Sequence, residues 1–481
     1  MLACGIVQID GAQTISGGKI LQSLIRYDEE NRLEGELAES WSVSPDGLVY
    51  TFNLRRGVLW HDGQPFTADD VVFSFDQILR QTHARTRSAI QKVASFAAPD
   101  PHTVVMTLEA PFLPFLTAIN SVNGPILPRH LYEGTDFLQN PANNAPVGTG
   151  PFRFSEWRRG EFVHLVRFDG YWNPGEPKVD EIYFQIIPDS SQRAIAVETG
   201  RIDVCTRITI TSTDQNRLVA AGHAKLADAR SFDGLSAASQ LFFNFRVKPF
   251  DDVRVRRAMT HALDRELIID VALLGQARVQ HGPIASSTLY HDADALVRYE
   301  HDPDRARALL AEAGIAPGAL SFELLVASAG SDRARMMEII AQQYREVGID
   351  ARVQFVDIPT LLKRGGDWDF EVVFTTVGQF QHPTIGLARN FLTSRINNTW
   401  GNNIGGYSNP RVDELWAQAD AALSDAEAQG FYSEIQRLIT EDVPCVFLME
   451  LQDYLVVRPN IEDIYQGPLS AYYSWAELRK L

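Results

Sequence analysis

The stretch WHDGQPFTADDVVFSF contains side chains of the types that bind metals or transfer protons. His61 and Asp62 stand just ahead of Asp69 and Asp70, four ionisable groups within ten residues. The same residues also suit a turn followed by a capped helix, since Asp-Gly is a turn dipeptide and Thr67 stands three residues before Asp70, an acidic variant of the capping box. Two acids in a first helical turn also suit the positive end of the helix dipole. We therefore interpret this cluster as scaffold.

Alternating and helical patterns surround this stretch. GLVYTFNLRRG places Tyr50, Phe52 and Leu54 on one face of a predicted strand. In the second half, a predicted helix ends at Gly348 and is followed at once by the strand IDARVQFVD, which is α/β architecture. The apolar face of that helix consists of Met336, Met337, Ile340, Tyr344 and Val347, and that of the strand consists of Ile349, Ala351, Val353 and Phe355. A later helix is predicted from Val412, Leu415, Trp416, Ala419 and Leu423.

Length and composition exclude several classes of protein. With 481 residues the chain is expected to form two or three lobes. A formal charge of −17 argues against nucleic acid as a partner. No apolar run approaches the roughly 18 residues that a membrane-spanning helix needs. Cys4, Cys205 and Cys445 are odd in number and far apart, so at least one thiol is free and a cysteine zinc site is excluded.

Enzyme signatures are not found in the sequence. There is no GxSxG, HExxH, GxxxxGK[ST] or GxGxxG motif, and the histidines show no short ligand spacing. We therefore expect no catalytic residues, no metal and no cofactor, although catalytic triads also assemble from distant residues. The N-terminus, MLACGIVQIDGAQ, has neither a basic nor an apolar signal region. This leaves open a cytoplasmic protein or a secreted one whose signal peptide is not in this sequence.

Four ordered segments carry a resemblance to a known family. LAESWSVSPDGLVYTFNLRRGVLWHDGQPFTADDVVFSF, VGTGPFRFSEW, FFNFRVKPFDDVRVRRAMTHALDRELI and DPDRARALLAEAG resemble the extracytoplasmic solute-binding proteins of ABC transporters, family 5, the dipeptide/oligopeptide-binding class. In the last segment Asp302 is expected to cap a helix with Pro303 at its first position. The resemblance runs from about Leu21 to the end of the chain.

The resemblance implies an α/β fold with two lobes, the periplasmic-binding-protein fold (type II-like, cluster C) with an extra N-terminal subdomain. Lobe I would comprise residues 1–24, 161–244 and 451–481, the added subdomain 25–160, and lobe II 245–450. The two crossings would run through LFFNFR and VFLMELQ. A ligand would bind between the lobes and bring about hinge closure.

The ligand loop departs from the pattern of the peptide-binding members. There, a carboxylate after a lobe II strand holds the α-amino group of the ligand. Aligned on Pro383, that position is Gln379, and His382 stands where an acid is common. Because a buried ammonium facing only an amide is costly, a free peptide N-terminus is disfavoured. Neutral polyols, sugar conjugates and anionic compounds become more plausible. The expected ligand-binding residues are Gln379, Phe380, Gln381, His382, Arg389, Trp400 and Asn402.

Two of these residues have structural alternatives. Arg389 either clamps a carboxylate or phosphate of the ligand, or pairs with a surface acid. His382 either contacts the ligand or is a loop histidine bonded to backbone. We expect the chain to be the substrate-binding component of an ABC importer, a monomer that captures a polar small molecule, peptide-derived or sugar-like, and presents it to a membrane permease and its ATPase. The alternatives are a cytoplasmic or chaperone-like peptide-binding relative, and a hydrolase on the same scaffold. The expected location is periplasmic or extracytoplasmic.

Overall fold

The computed structural model describes residues 1–7, 9–83, 85–227, 237–328, 330–452, 454–467 and 469–481, with the backbone alone at residues 121 and 208. Helices alternate with six sheets of two to six strands. The main helices are Asp10–Ser16, Ala68–Phe73, Ser74–Leu79 (a π-helix), Arg87–Ile90, Phe115–Ala118, Arg129–Tyr132, Ser190–Glu198, Ser212–Ala220, Val253–His261, Arg265–Leu273, Pro303–Glu312, Ser331–Glu346, Ile358–Gly366, Pro383–Gly386, Ala388–Phe391, Pro410–Ala421 and Asp425–Asp442.

A four-stranded antiparallel sheet lies in the N-terminal part of the chain. The side chains of Tyr50, Phe52 and Leu54 are buried on one face of it, as their alternation predicts. They belong to one apolar core with Trp60 and Phe75, so the helix that starts after the HDG turn covers this sheet. The strand order is Ala38–Val43, Val49–Leu54, Thr103–Leu108 and Val93–Asp100.

The Asp70 carboxylate caps the helix Ala68–Phe73. It accepts hydrogen bonds from the backbone N–H groups of Thr67 at 2.9 Å and of Arg129 at 3.0 Å. Burial raises the pKa of Asp70. Asp69 lies 3.6 Å from the Arg129 guanidinium on the surface. Both acids therefore have the structural role predicted for them.

The histidine of the same stretch is also structural. His61 donates from Nε2 to the Gly150 carbonyl at 2.9 Å and accepts at Nδ1 from the Gly148 N–H at 3.2 Å. Burial lowers the pKa of His61 to about 4. Asp62 lies 2.6 Å from His130 instead of facing His61. The interpretation of this cluster as scaffold is confirmed.

A two-stranded sheet pairs Ile25–Tyr27 with Leu33–Gly35, and two further sheets have three strands each. One consists of Phe152–Arg158, Phe162–Arg167 and Glu181–Gln185. In the other, the strand Leu455–Val457 lies between the strands Val204–Thr206 and Lys225–Ala227 and runs antiparallel to both. We call these sheets, the four-stranded sheet and the helices packed on them the first lobe.

A six-stranded mixed sheet forms the centre of what we call the second lobe. Both predicted crossings are strands of this sheet and lie side by side, with Leu241 opposite Val446. The lobe bounds expected at 24, 160, 244 and 450 stay a prediction. The order of strands is Ala277–Val279, Cys445–Leu451, Ala238–Phe243, Val372–Val377, Leu320–Ala327 and Ile349–Val356, and the last three are parallel to one another.

The predicted helix–glycine–strand unit is present in the second lobe. The helix Ser331–Glu346 buries Met336, Met337, Ile340 and Tyr344, and Gly348 adopts a positive φ of 82° before the next strand. Asp302 caps the helix Pro303–Glu312 by accepting the Arg305 N–H at 2.8 Å. Cys4, Cys205 and Cys445 are buried free thiols.

Two residues predicted to lie on apolar faces are exposed. Leu423 is 60% exposed because the helix ends at Ala421, and Ser424 caps the next helix. Phe355 is 39% exposed near the end of its strand at the edge of the sheet. The predicted placement of both side chains is wrong, since a periodic pattern does not show where its element ends or what covers that end.

Candidate functional site

The two lobes contact each other through the loop that follows the strand Val372–Val377. Phe380 and Ile385 belong to the buried cluster of the first lobe. The Arg85 guanidinium lies 4.2 Å from the centroid of the Phe380 ring. Nearby, the Leu113 N–H donates to the Asp420 carbonyl at 2.9 Å. Apolar, cationic and backbone contacts thus join the lobes here.

A second contact between the lobes lies at the helix Ser212–Ala220. The Ser212 N–H donates to the Asp332 carboxylate at 2.9 Å. Arg207 donates from Nη2 to the Gln276 carbonyl at 3.2 Å, and the Gln276 amide donates to Asn216 at 3.2 Å. Polar contacts therefore join the lobes at this place.

A cavity of about 390 Å³ lies next to the second contact, and we call it the interlobe cavity. This volume is within the range usual for small-molecule sites. Four of its lining residues, Gly330, Asp332, Arg333 and Met336, follow the carboxyl end of the strand Leu320–Ala327, the edge at which α/β sheets bind ligands. Its polar lining includes Arg193, Arg207, Ser239, Asp332, Arg333 and Thr376.

The interlobe cavity presents guanidinium donors from both lobes. Nε of Arg207 is buried and has no hydrogen-bond partner among the described residues. Arg333 donates to the Ala327 carbonyl at 3.3 Å, and burial lowers the pKa of Arg333. Arg193 is committed to carbonyl oxygens, including that of Thr209. The Asp332 carboxylate already accepts the Ser212 N–H. The N–H groups of Arg207 and Arg333 that are not used by the protein suit an anionic group of a ligand.

Gln379, the residue at the expected amine-binding position, is fully buried. Its Oε1 accepts the Ala285 N–H at 2.8 Å, and its Nε2 donates to the Pro283 carbonyl at 2.9 Å. Both amide atoms are therefore used to hold the 283–285 loop. This geometry gives Gln379 a structural role, and its part in ligand binding stays a prediction.

The next three residues turn the chain sharply. Phe380 and Gln381 have positive φ values of 51° and 61°. His382 caps the helix Pro383–Gly386, because its Nδ1 accepts the Thr384 N–H at 3.2 Å. Burial lowers the pKa of His382 to about 3, so the ring is neutral at physiological pH. The loop that carries an acid in peptide-binding members offers no charge here.

Arg389 lies on the short helix Ala388–Phe391 that follows the loop. Among the described residues no carboxylate forms an ion pair with it, and its Nε is buried with no hydrogen-bond partner. Burial lowers the pKa of Arg389. Both alternatives for this residue, an ion pair with a surface acid and contact with the ligand, therefore stay predictions.

Trp400 and Asn402 lie on either side of Gly401 at the edge of this region. The Trp400 ring packs on Gly365, where a β-carbon added to the glycine would lie 2.3 Å from the ring. Asn402 donates to the Asn397 side chain at 3.0 Å. Gly401 itself faces Arg389, whose Nη1 would lie 3.5 Å from a β-carbon at that glycine. The structure therefore brings the 379–389 loop and the 400–402 turn together.

The predicted residues do not line the interlobe cavity, which instead uses residues that the sequence analysis did not select. Arg333 stands two positions into the helix that directly follows a buried strand. A polar group at such a strand-to-helix turn lies at the usual ligand-binding edge, so this position was accessible to sequence reasoning. Arg207 gave no such indication, because only the tertiary fold brings it to the same cavity as Arg333.

Within the described ranges, no group of three or more His, Cys, Asp or Glu side chains suits a metal ion. No helix among these residues has the length and hydropathy needed to cross a bilayer.

Comparison with known proteins decides the family. Residues 32–399 match the bacterial extracellular solute-binding proteins, family 5. The chain belongs to this family. The resemblance noted in the sequence is thereby confirmed, as is the two-lobed α/β fold. Members of the family are extracellular binding proteins, and this chain is the substrate-binding component of an ABC importer.

Individual relatives cover nearly the whole chain. The glutathione-binding protein GsiB of Escherichia coli K12 is 29% identical over 446 residues, 89% of this chain and 82% of the relative. Di/tripeptide-binding protein 2 of Pseudomonas aeruginosa is 29% identical over 463 residues, 90% of this chain and 84% of the relative. The crystal structure of NikA from Brucella suis in complex with Fe(III)-EDTA is 25% identical, with a TM-score of 0.87 and coverage of 98% and 96%.

Proposed function

We propose that this chain captures a small polar solute with a carboxylate or similar anionic group and delivers it to a membrane permease and its ATPase. The observation that carries this proposal is the interlobe cavity of about 390 Å³, which is lined by Arg207 from one lobe and by Arg333 from the other. A guanidinium binds a carboxylate through two parallel hydrogen bonds. A solute held by both residues would stabilise the closed pair of lobes.

The loop at 379–382 lies outside the interlobe cavity, and it offers no second place for an ammonium group. An ammonium group buried beside the Gln379 amide and the neutral His382 ring would lack a counter-charge. We therefore propose that recognition does not depend on a free amine, unlike capture of an ordinary peptide N-terminus. The substrate class then includes peptide-derived acids and acidic sugar conjugates.

The named ligands of the relatives are compatible with this class. Glutathione carries carboxylates, and so does the EDTA ligand bound to NikA. For this chain we propose an extracytoplasmic, monomeric protein that performs no catalysis. Solute binding would act by shifting an open–closed equilibrium, to the extent that the closed form binds the solute more tightly.

A thermal-shift screen tests the proposal. The probes are glutathione, di- and tripeptides, the same peptides N-acetylated or C-terminally amidated, oligosaccharides and polyamines. A solute at a thousand times its Kd adds about 4 kcal/mol to the free energy of unfolding. We expect large shifts from carboxylate-bearing probes whether or not their amine is blocked. The proposal would be contradicted if polyamines alone raised the melting temperature, or if no probe of any class did.

Two variants of one helix sharpen the test. Arg333→Gln removes a guanidinium from the cavity, whereas Arg335→Gln removes an exposed one two residues further on. The first should lower affinity for the carboxylate probes about tenfold or more, and the second should leave it unchanged. Equal affinities of the two variants would remove Arg333 from the site.

A further inference from the structure

Two strand edges of the first lobe face one cavity of about 850 Å³, which we call the strand slot. Among the described residues, the strand Glu181–Gln185 pairs only with Phe162–Arg167, and the strand Val204–Thr206 pairs only with Leu455–Val457. Residues of both strands line the slot. Each strand is thus the last of its sheet on the side of the slot, and an unpaired strand edge is a template for a further strand.

The hydrogen bonds of the first of these sheets fix which backbone groups its edge leaves unpaired. At the end of the ladder, the Arg167 N–H donates to the Asp180 carbonyl at 2.7 Å. Because bonded and non-bonded pairs alternate in an antiparallel ladder, Tyr183 and Gln185 direct their N–H and C=O groups away from the neighbouring strand. No hydrogen bond within the described ranges uses these groups.

The edge of the second sheet has the same pattern. The Arg458 N–H donates to the Asp203 carbonyl at 2.9 Å, so Val204 and Thr206 direct their backbone groups away from their neighbouring strand. The Thr206 carbonyl accepts the Thr209 hydroxyl at 2.6 Å. The N–H groups of Val204 and Thr206 have no partner in the part of the chain that the structure describes. The slot is therefore bordered on both sides by free backbone groups.

The connection between the two edges is one that ordinarily belongs to a single sheet. The helix Ser190–Glu198 joins the strand Glu181–Gln185 to the strand Val204–Thr206. A strand–helix–strand crossover usually links parallel strands of one sheet. Here the two strands end separate three-stranded sheets, with the slot between them. One strand added in the slot would unite them in a seven-stranded sheet, which is a usual size.

Two polar side-chain atoms of the slot also lack partners. Oε1 of Gln185 and Nε1 of Trp475 are buried and form no hydrogen bond among the described residues, and Trp475 is only 8% exposed. The rest of the lining includes apolar side chains such as Ile15, Phe184 and Leu478. Because buried polar groups are normally paired, the slot suits an occupant with apolar side chains and a regular row of donors and acceptors. An extended polypeptide has both.

We infer that the strand slot holds a β-strand of this same polypeptide that precedes Met1 and pairs with both edges. The first turn of the helix Asp10–Ser16 lines the slot through Asp10 and Gly11, so the N-terminal side of the polypeptide runs past it. The slot lies inside one lobe, where a strand completes a core, and this favours a strand of the same polypeptide over a separate partner. About five residues, alternately apolar, form a strand of ordinary length. The inference is independent of solute capture between the lobes.

The test compares the 481-residue protein with the polypeptide that includes the in-frame codons ahead of Met1. Hydrogen exchange is followed at single amides by mass spectrometry. Tyr183 and Gln185 report on the slot, and Ile182 and Phe184, whose backbone groups are bonded within the sheet, are the matched controls. Melting temperatures of both proteins are measured in parallel.

We expect the amides of Tyr183 and Gln185 to exchange about a hundredfold more slowly in the longer protein. The control amides should be protected in both proteins. The longer protein should also melt several degrees higher, because two sheets become one. Both effects should be the same at low and high protein concentration, since the strand is part of the same molecule.

Gln185→Pro tests the pairing itself, because it removes an N–H that faces the slot but no hydrogen bond of the ladder. In the 481-residue protein this variant should melt close to the wild type. In the longer protein it should lose most of the gain in melting temperature, whereas Gln185→Ala, which keeps the N–H, should retain that gain.

Three results would overturn the inference. They are a stop codon in frame directly ahead of Met1, equal exchange of the Tyr183 and Gln185 amides in the two proteins, and protection of these amides that rises with protein concentration. The last result would assign the strand to a second copy of the chain.

Discussion

The Arg85 guanidinium of the first lobe lies 4.2 Å above the Phe380 ring of the second lobe. Phe380 is 9% exposed and belongs to the first-lobe core, although its chain segment follows a second-lobe strand. A single side chain thus links the packing of one lobe to the ligand loop of the other. The stability of the closed form and the geometry of the 379–389 loop are therefore coupled.

Replacing Phe380 with alanine is expected to favour the open form. The variant loses an interlobe cation–π contact worth about 0.5–2 kcal/mol together with buried apolar area. Small-angle X-ray scattering of the solute-free protein should show a larger radius of gyration than the wild type, and solute affinity should fall about tenfold. Phe355→Ala, at an exposed sheet edge, is the control. An unchanged radius of gyration would show that Phe380 does not hold the lobes together.

Gln379→Glu should destabilise the protein in a pH-dependent manner. A carboxylate at this position would face the Pro283 carbonyl, to which Gln379 now donates, at a cost of about 3 kcal/mol. The pKa of the new carboxyl would be raised in the folded state. The variant should therefore match the wild type near pH 4 and lose stability as the pH rises. Urea unfolding from pH 4 to 8 measures this, with the exposed Gln354→Glu as control. A loss independent of pH would contradict the assigned hydrogen bond.

His382→Asn should make the protein more resistant to acid. Burial lowers the pKa of His382 to about 3, so unfolding takes up a proton below pH 6.5 and stability falls as the pH drops. At pH 5 this proton uptake costs about 2 kcal/mol. Asparagine keeps the helix cap but does not titrate. The difference in unfolding free energy between variant and wild type should grow by that amount from pH 7 to 5. The exposed His301→Asn should show no such growth.

Asp420→Asn should have the opposite pH dependence. Burial raises the pKa of Asp420 to about 7, while Thr384 donates to its carboxyl at 2.5 Å. Because the folded state holds a proton that the unfolded state releases, wild-type stability falls as the pH rises from about 4 to 7. The variant should lack this loss and be more stable by about 4 kcal/mol at pH 8. The control is Asp294→Asn. If the two variants show the same dependence of unfolding free energy on pH, the charge of Asp420 lies in solvent.

Features determined by local sequence could be predicted. The Asp302 cap, the helix ending before Gly348 and the Asp70 cap follow from side chains that act within a few residues of themselves. The partners of His61 are not local, since Gly148 and Gly150 lie 87 and 89 residues away along the chain. The family and its two-lobed fold also followed, because four ordered segments carry the resemblance.

The candidate site could be predicted only in part. The loop around Gln379 was found, but its hydrogen bonds to the 283–285 loop were not. Gln379 and Ala285 are 94 residues apart in the chain. The presence of Arg207 and Arg333 in the lining of one cavity is equally non-local. Composition and periodicity carry no information on such distances. Arg389 was selected for its chemistry, and only the fold shows that no described acid pairs with it.

The position of the strand Leu455–Val457 has a consequence for the order in which the protein matures. This strand is the central one of a three-stranded sheet whose other strands precede the whole second lobe in the chain. During synthesis, the second lobe is complete before the first lobe can close this sheet. A nascent chain that stops at residue 452 would contain every strand of the six-stranded sheet, while two edge strands of the first lobe still lack their common neighbour.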